Sequence, residues 1–455
     1  MKKRSEEQDL ESYLDWLTVA LGHADREAGL KGYCRGLMLP LERKSVEPIA
    51  AHLDPRHVCA RHQALHHFVA QSEWSDAALL KRVRDWVLPH LVRKEPVYWI
   101  IDDTGMRKKG RHSVGVARQY CGQIGKQDNC QVAVSLSIAT AQASLPVAWQ
   151  LYLPTEWAAD AARRRDAGVP ENIVFATKPD IALAQVRQAH AAGLPIGCVL
   201  ADAAYGTHTQ WREGLSELKL EYAVGVVSSV GVWAPGTEPL PPKPKPKRGM
   251  GRPKVRRRLV AGQGPVSVKT LALQLDRRQF HTVRWREGTN TPLSSRFAAL
   301  RVRVAHGDPR RAHLRDEEWL LIEWPRGEAE PAKYWLSNLP PDTILKQLVA
   351  TAKARWRIER DYEELKQEFG LAQYEGRGWR GFHHHASLCI AAYGFLIGQR
   401  LRGARQKKPS ELPQPSLPRH YRPRGAAARA APRRRLDRHA ALAPGSRARP
   451  ALGVS

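Results

Sequence analysis

The stretch Thr351–Leu371, TAKARWRIERDYEELKQEFGL, constrains the possible fold more than any other part of this chain. It is rich in good helix formers and contains no Pro or Gly before Gly370, so it predicts one continuous helix capped at Gly370. Apolar residues at helical spacing predict the face that packs against a core: Ile358, Tyr362, Leu365 and Phe369. Any fold of this chain must therefore bury one side of this helix.

A neighbouring face of the same predicted helix carries charged residues. Arg355, Glu359, Glu363 and Lys366 follow one another at spacings that place them on one side of a helix. This pattern has two interpretations, which are an exposed face with ion pairs along it, or a functional carboxylate between two cations. The helix residues alone do not decide between the two.

Two aspartates elsewhere in the chain favour the functional interpretation. Asp102 follows the apolar run Val97–Ile101, and Asp202 follows the apolar run Ile196–Ala201. A carboxylate at the end of a buried strand is costly unless it is paired or binds a cation. Two strand-end aspartates and a helix glutamate, Glu359, are the oxygen ligands that a two-metal phosphoryl-transfer site needs. The sequence therefore predicts Asp102, Asp202 and a glutamate of this helix as catalytic and metal-binding residues, and the resemblance described next implies that this glutamate is Glu359.

With these residues, the chain resembles bacterial insertion-sequence transposases of the DDE class. The spacing Arg-x3-Glu-x6-Lys, present here as Arg355, Glu359 and Lys366, is typical of one cut-and-paste branch of that class. Three blocks resemble one family in the branch: IIDDTGMRKKGRHSVGVARQYCGQIGKQDNCQVAVSL, VLADAAYG and RWRIERDYEELKQEFGLAQYEGRGWRGFHHH. The resemblance runs from about Leu30 to Leu401. Ala352 departs from the pattern, because the branch often has Tyr at that position.

The resemblance implies an RNase H-like core and a DNA transposase that nicks element ends and joins them to target DNA. It also implies two Mg²⁺ ions, for which Mn²⁺ can substitute, and we expect a homodimer on double-stranded DNA. Family members often have Asp-Glu-Thr where this chain has Asp102-Asp103-Thr104, so Asp102 is expected to be the first ligand. Adjacent strand residues point to opposite faces, so only one of the two acids can meet Asp202. Arg355 and Lys366 are expected to contact DNA phosphates, with ion pairs to Glu359 or Glu363 as the alternative.

The pattern along the chain predicts an α/β fold with an RNase H-like mixed sheet and flanking helices. We expect a helical N-terminal DNA-binding domain (1–92), a first core part (93–228), a Pro/Lys-rich linker with a β-rich insertion (229–330), a second core part (331–402) and a basic disordered tail (403–455). A helical packing domain is the alternative for 1–92. The insertion lies between the second Asp and the Glu. Predicted core strands are Val97–Asp102, Cys130–Ile138, Leu145–Leu153, Ile196–Asp202 and Tyr222–Val227, and predicted insertion strands are Phe280–Trp285, Ala298–Val304 and Trp319–Trp324.

Charge indicates the kind of partner. The formal net charge of +28 favours a polyanion, either nucleic acid or an anionic membrane surface. No apolar run approaches the length of a membrane span, and the N-terminus MKKRSEEQDLES lacks the apolar segment of a signal peptide. We therefore expect a cytoplasmic, nucleoid-associated protein with no membrane partner. The six cysteines form no CxxC pair, and His383-His384-His385 cannot point the same way, so neither group predicts a metal site.

Two basic segments are further candidates for DNA contact. Lys108 and Lys109 lie in a basic turn just past Asp102, where a phosphate contact and a solvated loop are both compatible with the sequence. Arg252 and Lys254 lie in a Pro- and Lys-rich segment that resembles an AT-hook, although Met250 stands where an Arg is usual. A flexible linker is the alternative for this second segment.

Two other functions compete with a transposase. The first is a catalytically inactive DNA-binding regulator or relic of transposition, which an assay for Mg²⁺-dependent cleavage of element-end DNA would distinguish. The second is a cellular RNase H-like nuclease, against which the long insertion and the AT-hook-like segment argue.

Overall fold

The computed structural model describes residues 5–93, 95–242, 257–258, 264–286, 292–306 and 313–406. Arg252, Lys254 and the predicted tail beyond residue 406 therefore lie outside the described residues. Met1–Gln406 forms one compact unit. The domain boundaries expected from the sequence stay predictions.

In the described residues, five α-helices precede the first strand. Their bounds are α1 Glu6–Thr18, α2 Glu27–Met38, α3 Val46–Leu53, α4 Val58–Ala70 and α5 Asp76–Leu91. The sequence pattern does not predict α2, because glycines interrupt it at positions 29, 32 and 36. A Cβ at these positions would collide with side chains of α3 and α4, so the glycines allow these helices to pack closely on α2.

The core sheet is mixed, as predicted. Its strands are β1 Tyr98–Arg107, β2 Ala117–Cys121, β3 Lys126–Ala139, β4 Ser144–Leu151, β5 Cys198–Ala201 and β6 Tyr222–Val226. β3 is antiparallel to β1, β2 and β4, whereas β5 is parallel to both β1 and β6. The resulting order β4-β3-β1-β5-β6 is that of an RNase H-like sheet. The helices between these strands are α6 Thr155–Ala159, α7 Ala161–Asp166, α8 Lys178–Ala191, α9 Ala203–Gly206 and α10 Thr209–Glu217.

The predicted β-rich insertion continues this sheet. Its elements are β7 Gly231–Trp233, β8 Val266–Ser267, α11 Val268–Gln274, β9 His281–Arg286, β10 Leu293–Val304 and β11 Glu318–Glu323. The strand β12, Lys333–Ser337, pairs with β6 on one side and with β11 on the other. β12 therefore joins the insertion to the edge of the core sheet.

The prediction of one helix over Thr351–Leu371 is wrong. The structure has α12, Leu345–Lys353, and α13, Trp356–Gln367, followed by a left-handed Gly370 with φ of 70°. Between the two helices, the N–H groups of Ala354, Arg357 and Ile358 bond to carbonyls three residues back. Such a tight turn inside a helical stretch re-aims the following helix. The final helix, α14, spans Trp379–Gln406.

Candidate active site

Asp102 and Asp202 lie side by side at one edge of the core. β1 and β5 are parallel, and their register pairs Tyr98 with Cys198 and Ile100 with Leu200. Asp102 and Asp202 each follow two residues after the pair Ile100 and Leu200, so the two aspartates lie beside each other. Asp202 is the N-cap of α9, because its side chain accepts a hydrogen bond of 2.9 Å from the backbone N–H of Ala204.

Asp102 faces the helix that carries Glu359. Its partner across the β1–β3 ladder is Ser135, whose hydroxyl lies 2.8 Å from the hydroxyl of Tyr362 on α13. Because directly paired residues share one face of a sheet, Asp102 lies on the side of α13.

Asp103 has a different set of partners. The Lys178 ammonium at the start of α8 lies 3.1 Å from its carboxylate, and the Tyr205 hydroxyl on α9 donates to the same oxygen at 3.2 Å. This arrangement agrees with the alternation expected for adjacent strand residues. Asp102 as the first ligand nevertheless stays a prediction, now supported by its position.

Arg355 joins two of the predicted carboxylates. Its guanidinium donates to Asp102 Oδ2 at 2.7 Å and to Glu359 Oε1 at 2.9 Å. Arg355 reaches both because the tight turn before α13 places it at the N-cap of that helix. The side chain of Glu359 is 65% exposed, whereas that of Asp102 is 15% exposed. Arg355 therefore holds an accessible glutamate beside a largely buried aspartate.

The charged form of Asp102 is favoured by a cation close to it. Burial raises the pKa of Asp102 to about 7, the guanidinium of Arg355 opposes this shift, and the nearby carboxylate of Asp202 adds to it. Two carboxylates in such a position disfavour each other's charged form unless a cation lies between or beside them. In this structure, that cation is Arg355.

The donor set suits a hard divalent cation. Asp102, Asp202 and Glu359 supply only carboxylate oxygens, which Mg²⁺ and Mn²⁺ prefer. Within the described ranges, however, no three His, Cys, Asp or Glu side chains already converge as a ligand group. The Arg355 guanidinium shows that Asp102 and Glu359 already share one cation, and the all-carboxylate donor set suits a metal ion if Arg355 moves away.

The predicted DNA-binding residues differ in accessibility. Lys366 donates to the backbone carbonyl of Gly105 at 2.9 Å, and burial lowers the pKa of its ammonium. Lys108 donates to the carbonyl of Tyr374, and burial lowers the pKa of Lys108 to about 8. Lys109 is exposed. A phosphate contact stays a prediction for all three, and the first two must leave carbonyl partners to make it.

Sequence reasoning missed Asp361 of α13. This residue is 2% exposed, and it accepts hydrogen bonds from the hydroxyl of Ser144 on β4 and from that of Tyr393 on α14, the latter at 3.0 Å. Burial raises the pKa of Asp361 to about 7. A signal was present in the sequence, because Asp361 falls between Ile358 and Leu365 on the apolar face.

The three consecutive histidines have separate partners, as predicted. His383 accepts from the backbone N–H of Leu151, and His384 lies between the carbonyls of Val69 and Trp74. His385 lies 2.9 Å from the Tyr33 hydroxyl and 3.1 Å from the carbonyl of Gly370. They connect α14 to β4, to the N-terminal helices and to the end of α13.

Comparison with known proteins agrees with this geometry. The model of a family described as DDE superfamily endonuclease matches residues 17–292. The chain belongs to this family. It is also 33% identical over 197 residues to a protein of Microchaete diplosiphon described as "Probable transposase for insertion sequence element IS701". That match covers 43% of this chain and 47% of the relative, so the chain spans about half the length of the curated relative it matches.

The matched range shows which part of this chain resembles the family. It includes Asp102 and Asp202 but ends before α13, which carries Glu359. In the described residues, no helix is both long enough and apolar enough to cross a bilayer.

Proposed function

We propose that the chain is a DNA transposase that cuts the ends of an insertion sequence and joins them to target DNA by metal-dependent phosphoryl transfer. The observation that carries the proposal is the contact of Arg355 with Asp102 and Glu359, next to Asp202. Family membership supports it, as does similarity to a protein described as a probable transposase. Double-stranded DNA is then the substrate, bound by a homodimer on the nucleoid in the cytoplasm.

Asp102, Asp202 and Glu359 are the residues that would hold two Mg²⁺ ions, with Mn²⁺ as a substitute. When bound, two such ions activate water or a DNA 3′-hydroxyl and stabilise the leaving oxygen. The chain contributes the carboxylate oxygens and their spacing. Asp102 and Asp202 are fixed by the sheet, and Glu359 is carried by a helix whose other side is buried.

Arg355 and Lys366 would bind DNA phosphates rather than the carboxylates that hold the metal ions. A guanidinium that leaves Asp102 and Glu359 remains close enough to neutralise a phosphate at the same edge. The Lys366 ammonium, which donates to the Gly105 carbonyl, lies farther along β1, on the same side as Tyr362 of α13. Both cations would hold phosphates next to the scissile bond.

The test is cleavage of element-end DNA by the full chain. The substrate is a linear duplex that carries the sequences flanking this coding region, incubated with Mg²⁺, with Mn²⁺ or with EDTA. We expect strand cleavage with either metal and none with EDTA, and loss of cleavage in Asp102→Ala with DNA binding retained. DNA binding without cleavage in either metal would instead support the inactive regulator. If the chain neither binds nor cleaves this DNA, both the transposase and the inactive regulator are ruled out.

A further inference from the structure

Four exposed cations lie on three separate segments that hydrogen bonds join beyond the end of β1. We propose that Lys109, Arg111, Arg165 and Arg377, here called the four-cation surface, bind the phosphate backbone of the DNA duplex beside the cleaved position. This inference rests on the proposed function, because it takes the substrate to be duplex DNA. It adds a binding surface formed by segments that are distant in sequence.

The first contact brings α7 to the turn between β1 and β2. Arg163 of α7 stacks on Trp157 with its guanidinium carbon 3.6 Å from the ring centre, and its Nη2 donates to the carbonyl of Arg111 at 2.7 Å. Arg165 lies two residues farther along α7 and is exposed. Arg163 therefore fixes α7, the helix that carries Arg165, beside the turn that carries Arg111.

A second pair of contacts adds the segment before α14. The backbone N–H of Val114 donates to the carbonyl of Arg377 at 2.9 Å, and that of Trp379 donates to the carbonyl of Ala167 at 2.8 Å. One contact joins this segment to the β1–β2 connection, and the other joins it to the residue after α7. The exposed side chain of Arg377 consequently belongs to the same region.

The turn that carries two of the cations is fixed before any partner arrives. The Asn129 side-chain amide donates to the carbonyl of Lys108 at 2.6 Å and to that of Gly110 at 2.9 Å. With the bond from Arg163, three carbonyls of the turn are held by side chains of other elements. Lys109 and Arg111 are exposed on this fixed turn, so less conformational entropy is lost on binding.

The four cations also lack carboxylate partners within the described part of the chain. Many of its other surface cations are ion-paired, as in the pairs Lys81–Asp85, Arg187–Glu217, Lys269–Glu330 and Arg400–Glu364. Unpaired cations of one sign repel each other, and a polyanion relieves that repulsion. Their exposure, their common positive charge and their lack of carboxylate partners favour a phosphate backbone as the occupant.

The length of β1 sets the distance to the candidate active site. Arg107, at the end of the strand, is five residues beyond Asp102, which corresponds to ~17 Å at the usual rise per residue. Each strand of a duplex carries one phosphate per about 3.4 Å of helix axis. We therefore expect the four-cation surface to meet phosphates about 5–7 base pairs from the cleaved bond.

The experiment compares two full-length variants that lose the same charge. The test variant is Lys109→Gln, Arg111→Gln, Arg165→Gln and Arg377→Gln combined. The matched control replaces four ion-paired cations, Lys81→Gln, Arg187→Gln, Lys269→Gln and Arg400→Gln. Affinity for a duplex is measured in EDTA over a range of salt concentrations, and melting temperatures establish that both variants are folded. The double variant Arg165→Gln, Arg377→Gln replaces the test variant if that one does not fold.

Each phosphate contact contributes about 0.9 to the slope of log affinity against log salt. We expect the slope to fall by about 2–4 in the test variant, by about 1–2 in the double variant and by less than about 1 in the control. Neutral methylphosphonates 5–7 base pairs from the cleaved bond should weaken binding by the unsubstituted protein but not by the test variant. Equal slopes in the test and control variants would overturn the inference while leaving cleavage, and the proposed function, intact. No binding and no cleavage by the unsubstituted protein would overturn the proposed function.

Discussion

Glu359 and Asp361 lie two residues apart on α13 and have opposite surroundings. Glu359 is 65% exposed and contacts a guanidinium, whereas Asp361 is 2% exposed and is held by the hydroxyls of Ser144 and Tyr393. The exposed acid is accessible to a cation. The hydrogen bonds of the buried acid attach the helix to β4 and α14. One helix therefore carries the accessible carboxylate that we propose as a ligand and a buried carboxylate that anchors the helix, within a single turn.

The difference between the two acids is tested by replacing each carboxylate in turn. Glu359→Ala should lower element-end cleavage by on the order of 10³-fold, because stabilisation by a bound metal is worth several kcal/mol. Its DNA affinity in EDTA should be unchanged. Glu363→Ala removes an exposed acid one turn away and serves as the control. If Glu363→Ala stops cleavage and Glu359→Ala does not, Glu363 is the ligand.

The anchoring role predicts a loss of stability at Asp361. Asp361→Ala should lower the free energy of unfolding by about 2–4 kcal/mol, because two buried hydroxyls lose their acceptor and a small cavity remains. Denaturant unfolding measures this change. Tyr393→Phe removes one of the two donors and should cost about 1 kcal/mol. An Asp361→Ala protein as stable as the unsubstituted chain would show that the acid does not anchor α13.

The sequence predicts much of this comparison, and particular residues show where prediction stops. The apolar face Ile358, Tyr362, Leu365 and Phe369 is buried as expected. The five predicted core strands lie within a few residues of their expected bounds, except β1, which continues to Arg107, and the short strand β2 is not predicted. The break before α13 is not predictable from propensity, because Ala354 and Arg355 are both good helix formers. Contacts distant in sequence accompany the break, since Lys353 pairs with Glu323 at 2.7 Å while Arg355 turns to Asp102.

The buried end of α13 adds a dependence on pH. Burial lowers the pKa of His385, which contacts Gly370, to about 4 from its ordinary value of 6.5. The unfolded chain therefore binds more protons between pH 6.5 and 4, and stability falls as the pH decreases through this range. The loss should be roughly 3 kcal/mol for this residue. His385→Gln should flatten the pH profile of denaturant unfolding relative to the unsubstituted chain. An identical pH profile would mean that His385 is not held neutral by the fold.

Arg355 gives the sharpest test of the exposed side, because its two roles predict changes of opposite sign. Without DNA, its guanidinium satisfies Asp102 and Glu359, so Arg355→Gln should leave both carboxylates freer and strengthen Mn²⁺ binding, measured by electron paramagnetic resonance. With DNA, the variant lacks a phosphate contact worth about 1.5–3 kcal/mol, so cleavage should fall by about 10- to 100-fold. Arg360→Gln is the matched control, because Arg360 forms an ion pair of the same spacing with Glu364 at 3.3 Å. That control should change stability by about 0.3–0.5 kcal/mol and neither Mn²⁺ binding nor cleavage. Unchanged cleavage in Arg355→Gln would show that Arg355 makes no important contact with DNA. Weaker Mn²⁺ binding in this variant would show that the guanidinium helps to position the two carboxylates and does not compete with the metal for them.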